Sequence, residues 1–303
     1  MPLHAGGAPR YLHVVPLWIA LLLGVVEGLT EFLPVSSTGH LIVVSSALGL
    51  EGEATKTFDV VIQSGAILAV VVHYRALLAR RLGGLLRRDP AAIRLGGALL
   101  AAFLPVAILG LATRKVIKAY LFKPVPVGIA LIAGGIVMIV VDRVFAARAR
   151  PNLEASASYR DRGLDPPAED RLEDVDVRRG AWIGLAQCVS LCPGVSRAMS
   201  TIVGGKLVGL STATAAEFSF LLALPVLGAA TALDLYKGGR ALFATQQAAI
   251  AVAVGFAASF FVAWAVIGLF LRFLRTRGLA GFGWYRVALG ALVIVWLRHA
   301  TFG

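Results

Sequence analysis

Six runs of this chain are apolar enough, and long enough, to cross a bilayer whose hydrocarbon core is about 30 Å thick. They lie near Phe58–Tyr74, Leu95–Thr113, Val125–Val141, Phe218–Leu235, Ala248–Leu271 and Trp284–Leu297. A chain carrying these has little choice but to fold as helices in lipid, where every backbone donor and acceptor must be satisfied within its own segment. Composition agrees: 58% of residues are hydrophobic and 15% charged, whereas soluble domains are nearer a quarter charged. The expected fold class is an all-α polytopic membrane protein. The net charge of +12 would suit nucleic acid, but Arg and Lys cluster between the apolar runs and no basic-aromatic surface pattern accompanies them. They read as topology signals and contacts to anionic lipid, so the bilayer is the expected partner and nucleic acid is not.

Two further apolar regions, 14–50 and 181–210, are interrupted in their middles. The first breaks at Leu33-Pro34 and the second at Cys192-Pro193-Gly194. Proline removes a backbone donor and crowds the preceding turn. At membrane depth such a break survives only where it is buried in protein or lines a cavity. Each region therefore reads as a re-entrant helix–break–helix hairpin, although residues 14–30 alone could also form a full span.

The two regions are related by a shift of about 160 residues, which brings Gly24 onto Gly184, Glu27 onto Gln187, Val35 onto Val195, Ser36 onto Ser196 and Phe58 onto Phe218. The chain reads as a duplication: a first repeat over 1–145, a polar linker over 146–180 and a second repeat over 181–303. Each half holds one re-entrant hairpin and three transmembrane helices. Three is odd, so the second half enters the membrane from the opposite side, giving the inverted-topology repeat of secondary transporters.

Basic residues concentrate in 75–94, 143–180 and 272–283, which this topology puts on one side. The positive-inside rule makes that side cytoplasmic and leaves both termini outside. The first hairpin then dips from outside and the second rises from the cytoplasm, their broken tips meeting near the midplane. The N-terminal apolar run continues into Glu27 and Glu31 without a small-residue cleavage pattern, so it is expected to belong to the fold rather than to a leader. The linker mixes Arg with eight acidic residues and Pro166-Pro167, and reads as a solvated loop. Cys188 and Cys192 read as small apolar packing residues rather than a disulfide or metal pair.

The chemistry concentrates at the breaks. Glu27 and Glu31 are four apart and share a helix face. Two carboxylates this close, in an apolar segment, suit a hard divalent cation between them. Gly24 and Gly28 on a neighbouring stripe allow close helix approach. Past the break come Ser36, Ser37 and Thr38, capping residues for a helix whose free N–H groups favour an anion. His40 lies within a turn of Ser37, which makes a nucleophile–base pair plausible. In the second hairpin Ser196 and Arg197 occupy the positions of Ser36 and Ser37. A buried Arg suits phosphate or carboxylate, including a standing ion pair with Glu27 or Glu31. One cavity with two helix N-termini, an Arg, hydroxyls, a His and two carboxylates describes a site for a metal-bridged polyphosphate inside an apolar wall. Residue types and spacing imply an amphipathic phosphate-bearing ligand and leave open whether it is moved or cut.

The stretch EGLTEFLPVSSTGH resembles the first signature of the undecaprenyl-diphosphate phosphatases, the bacitracin-resistance family, and PGVSR resembles the second. KTFDVVIQSGAILAVVV, AAEFSFLLALPVLGAATALDLYK and WYRVALGALV are similar to that family too, so the resemblance covers nearly the whole chain. It implies a multi-pass enzyme of the bacterial inner membrane that hydrolyses undecaprenyl diphosphate to the monophosphate and phosphate. That reaction recycles the carrier lipid of peptidoglycan synthesis and confers bacitracin resistance. The alternative class is a lipid-phosphate flippase or secondary transporter. Carried over by motif, Glu27 and Glu31 would hold Mg2+ or Ca2+, and Arg197 with the hairpin N–H groups would neutralise the transferring phosphoryl group. Ser36, Thr38 and Ser196 would bind substrate. Ser37 would attack or position water with His40 as acid/base, unless His40 is itself the nucleophile. Where the family pattern runs S-R-S-G, this chain has Ala198 and Met199 after Arg197, and its linker is longer. The expected partner is a polyprenyl diphosphate lipid. The site is expected to open toward the periplasm, and a homodimer is left open.

Overall fold

A computed structural model describes residues 15–50, 53–121, 123–161 and 171–300. All regular structure among them is helical. In chain order the α-helices are α1 (Leu17–Thr30), α2 (Ser37–Ala47), α3 (Glu53–His73), α4 (Arg75–Leu86), α5 (Pro90–Tyr120), α6 (Pro124–Asp161), α7 (Val177–Gln187), α8 (Arg197–Leu207), α9 (Thr212–Leu242), α10 (Gln246–Thr276) and α11 (Ala280–Ala300). Short 3-10 turns cover Leu172–Asp174 and Cys188–Leu191.

The exterior is that of a protein dissolved in lipid. Trp18, Leu100, Ile108, Phe261, Leu269 and Leu292 are all more than half exposed, while Glu27, Glu31, Ser36 and Ser37 are buried. Among the described residues, four helical stretches are long and apolar enough to cross a membrane: Pro90–Ile117, Val125–Phe145, Thr212–Lys237 and Gln246–Leu274. A fifth crossing results if α3 and α4, bent by 74° at Tyr74, count as one. The expected span over Trp284–Leu297 falls in α11, whose apolar part is shorter. The chain is a multi-pass membrane protein.

Both interrupted regions are helix–break–helix units, as expected. In the first, α1 gives way at Glu31 to a non-helical turn and α2 resumes at Ser37. In the second, α7 runs through a 3-10 turn and α8 resumes at Arg197. Glycines set how these units dock. A Cβ on Gly24 or Gly28 would collide with the backbone of Gly255 or Ser259 on α10. A Cβ on Gly180 or Gly184 would collide with the backbone of Ala98 or Ala102 on α5. So α1 lies against α10 and α7 against α5, each long helix coming from the other half of the chain. Helices α3 and α9 pack together, α3 touching α1 and α9 touching α8; α6 packs on α11 and touches both α2 and α8.

Two parts of the sequence reading change. The basic segment 75–94 contains a helix, α4, ending before the capping signal Asp89-Pro90. Asp89 accepts from the Ala91 and Ala92 amides, and Pro90 opens α5. Arg81 of α4 is held by Asp89 and Glu173, which ties α4 to the start of α5. The polar linker is also shorter than 146–180, because α6 continues to Asp161 and α7 begins at Val177. Asp165, Pro166, Pro167, Glu169 and Asp170 lie outside the described residues, as do residues 1–14 and the last three.

Candidate active site

The two breaks end in the same way. Ser36 and Ser196 both have φ of 75°, a region that side-chain-bearing residues avoid and that costs on the order of 1–3 kcal/mol. Each then caps the helix that follows. The Ser36 hydroxyl accepts from the Gly39 amide at 3.2 Å, and the Ser196 hydroxyl accepts from the Met199 amide at 3.2 Å. One hydroxyl of each polar run is therefore consumed in capping. The twist brings the next residue, Ser37 in one unit and Arg197 in the other, into a shared cavity of about 190 Å³. Glu31, Ser36, Ser37 and Thr38 line it from the first unit, Ser196 and Arg197 from the second, and Gln63 from α3.

Glu31 is the hub. Its Oε1 accepts from Nη2 of Arg197 at 2.9 Å. Its Oε2 accepts from the Ser37 hydroxyl at 2.5 Å and from Nε2 of Gln63 at 3.2 Å. The Arg197 and Glu31 side chains are 9% and 4% exposed, so the pair is desolvated. The structure thus forms the standing ion pair that the sequence allowed. Arg197 is fixed further by the Ser219 carbonyl at 2.9 Å and hydroxyl at 3.1 Å, the latter held by Thr201 at 2.6 Å. Its guanidinium lies 5.6 Å from the centre of the Phe32 ring. Nε of Arg197 is buried and has no hydrogen-bond partner among the described residues. One donor of a guanidinium whose residue lines the cavity is thus unclaimed, and a guanidinium suits an oxyanion.

Glu27 sits one turn before Glu31, 1% exposed and outside the cavity lining. Its Oε1 has no partner among the described residues, nor has Oδ1 of Asp59 on α3. No group of three or more His, Cys, Asp or Glu is placed to hold a metal among the described residues. Mg2+ needs less, being bound through one or two carboxylates with water and substrate phosphates. Glu27, with an unclaimed buried oxygen, fits that role. Both Glu31 oxygens are already engaged, so Glu31 fits only when Arg197 turns to another anion.

His40 does not join Ser37. Its Nδ1 is 2.8 Å from the Ser36 carbonyl, so Nδ1 carries the proton of the neutral ring. Nε2 then accepts from the Tyr285 hydroxyl at 2.7 Å, the two rings parallel within 5°. The group that can take the Ser37 proton is Glu31. Tyr285→Phe is accordingly expected to lower kcat by less than about tenfold, the scale of one orienting hydrogen bond. A nucleophilic or acid–base His40 would make the loss several hundredfold in the same steady-state assay.

Gln63, Ser219, Phe32 and Tyr285 were missed as site residues. Gln63 and Tyr285 were visible only inside the longer motifs TFDVVIQSG and WYRVALGALV, and Ser219 looks like any small residue of an apolar span.

The family model for bacitracin resistance protein BacA matches residues 20–292 of this chain. The protein belongs to the BacA family. Similar curated proteins include an undecaprenyl-diphosphatase of Sorangium cellulosum, 57% identical over 92% of this chain and 85% of its own length. The undecaprenyl-diphosphatase of Rhizorhabdus wittichii is 45% identical over 91% of this chain and 96% of its own. That of Thermoanaerobacter pseudethanolicus is 44% identical over 91% and 95%. In this BacA-family chain the matched span contains both breaks and every residue that meets at Glu31.

Proposed function

We propose that this protein hydrolyses undecaprenyl diphosphate to undecaprenyl phosphate and inorganic phosphate. By this it recycles the carrier lipid of peptidoglycan synthesis and gives resistance to bacitracin, a compound that sequesters the diphosphate. The observation carrying the proposal is the meeting of Arg197, Glu31 and Ser37 on one carboxylate. That is a cation for phosphate, a base and a hydroxyl within a single buried cluster.

The terminal phosphate enters the cavity and competes with Glu31 for Arg197, whose Nε is already unclaimed. Charge developing on the transferring phosphoryl oxygens is stabilised by this guanidinium and by the amides at the starts of α2 and α8. Once Arg197 turns, Glu31 accepts the proton of Ser37, whose hydroxyl already donates to it. The Ser37 oxygen attacks phosphorus, the bond to the bridging oxygen breaks, and undecaprenyl phosphate leaves. Glu31 passes that proton to the departing oxygen; again a carboxylate, it takes a proton from the water that attacks the phosphoserine and returns it to the Ser37 oxygen as phosphate leaves. Glu27, and Glu31 once Arg197 has turned, would hold a divalent cation, Mg2+ or Ca2+, which would supply positive charge to the phosphate oxygens of the substrate. The cavity is too small for the lipid chain, which would lie along the apolar helix exteriors.

The architecture we infer is an inverted repeat over 1–145 and 181–303, each half a re-entrant hairpin and its spanning helices. The swapped docking of α1 on α10 and α7 on α5 supports it, as do the two serines of equal φ. The basic segments support both termini being periplasmic; the bacterial inner membrane and a site opening toward the periplasm are the readings that accompany the family resemblance.

The test is phosphate release by purified protein in detergent with Mg2+, where no bilayer exists to transport anything across. Release from undecaprenyl diphosphate is expected to exceed that from inorganic pyrophosphate by at least about tenfold in kcat/KM, since binding of the lipid aids the reacting end. No release from the lipid substrate would leave lipid transport as the better reading.

A further inference from the structure

The largest fully buried side chain is a cation that takes no part in the chemistry above. Arg286 of α11 is 0% exposed, and no carboxylate pairs with it among the described residues. Among the described residues it bonds only backbone carbonyls. Nε donates to Leu131 at 3.4 Å and Nη2 to Ala130 at 3.3 Å, both on α6. Nη1 donates to Pro34 at 3.1 Å, and Nη2 also to Gly194 at 2.8 Å. Pro34 and Gly194 are the residues that the shift of about 160 superposes, one in each break.

Broken helices leave carbonyls without amide partners, and at membrane depth water does not supply one. A single guanidinium answers this at the same point of both breaks. It also couples them. Pro34 is three residues before Ser37, and Gly194 three before Arg197. Those two side chains meet on Glu31. The rigid fork of Arg286 thus sets how far apart the two strained turns stand, and with it the placing of Arg197 relative to Ser37. Lysine, with a compact point charge, cannot span carbonyls from two breaks in fixed geometry. The neighbourhood is shaped around the fork, because a Cβ on Gly134 of α6 would fall on the guanidinium.

We propose that Arg286 is a positioning residue for phosphoryl transfer, joining the two breaks so that Ser37 and Arg197 address one phosphate. It touches neither substrate nor the reacting atoms. This rests on the phosphatase reading above.

Two variants test it: Arg286→Lys, and Gly134→Ala, which displaces the guanidinium while leaving Arg286 present. Both are purified in detergent beside wild type, with monodispersity and thermal unfolding followed, and kcat and KM measured on undecaprenyl diphosphate. The expected result is at least one folded variant whose kcat falls by about a hundredfold, the effect of an ångström-scale misplacement. Its KM should stay within about threefold, because the apolar surface that takes the lipid is intact. Wild-type kcat in a folded variant would overturn the proposal. So would a rise in KM at unchanged kcat, or unfolding of both variants, which would assign Arg286 to stability alone. Inactivity of wild type itself would instead count against the phosphatase reading.

Discussion

Arg197→Ala is expected to lower phosphate release from undecaprenyl diphosphate by about 10³-fold in kcat, in detergent-purified protein of unchanged monodispersity. Removing one preorganised donor from a developing oxyanion costs about 10²–10³-fold, and Arg197 is the only arginine whose guanidinium lines the described cavity. The same change leaves Glu31 buried beside Ser37 and Gln63 without its cation. Breaking a buried pair from one side costs on the order of 3–5 kcal/mol, so the unfolding temperature should drop as well. Arg197→Lys should restore part of the stability and little of the rate. An ammonium group supplies charge to Glu31, but not the several directions in which Arg197 now meets Glu31, Ser219 and the cavity.

The second large effect is expected at Glu27. Its buried Oε1 has no hydrogen-bond partner among the described residues, and a neutral amide of the same shape fills the same space. Glu27→Gln should therefore leave thermal stability unchanged or slightly raised. It should raise the Mg2+ concentration for half-maximal activity by at least about 10–100-fold, the loss that even an outer-sphere partner of a metal ligand produces. Metal titration of the rate, beside thermal unfolding without metal, reads both. An unchanged metal response would remove Glu27 from cation binding and leave its burial as packing.

Much of this was legible in the sequence for a physical reason. Apolar length, proline breaks and charges at depth are constraints the bilayer imposes on any chain, so the interrupted segments stood out before any contact was known. The closeness of Glu31 and Arg197, 166 residues apart, followed from taking the two breaks as equivalent. What could not be read was partner choice inside the cluster. His40 is within a turn of Ser37, yet its ring bonds the Ser36 carbonyl and Tyr285, because the break turns the chain at Ser36 and α11 passes beside it. Ser37 and Gln63 find Glu31 through tertiary packing that no spacing encodes. Helix α4 was not read at all: the sequence showed 75–94 only as a basic segment, whereas Arg81 of α4 meets Asp89 at the start of α5 and Glu173 ahead of α7.

The central claim is that Glu31 and Arg197, from different halves of the chain, work as one unit on one phosphate. A double-mutant cycle on kcat/KM for phosphate release, with Glu31→Ala, Arg197→Ala and the pair, measures this directly. The account predicts that the double variant is no slower than the worse single variant, within about threefold, because residues acting as a unit are lost together. Losses that multiply across the two sites would mean that Glu31 and Arg197 act independently, and would contradict it.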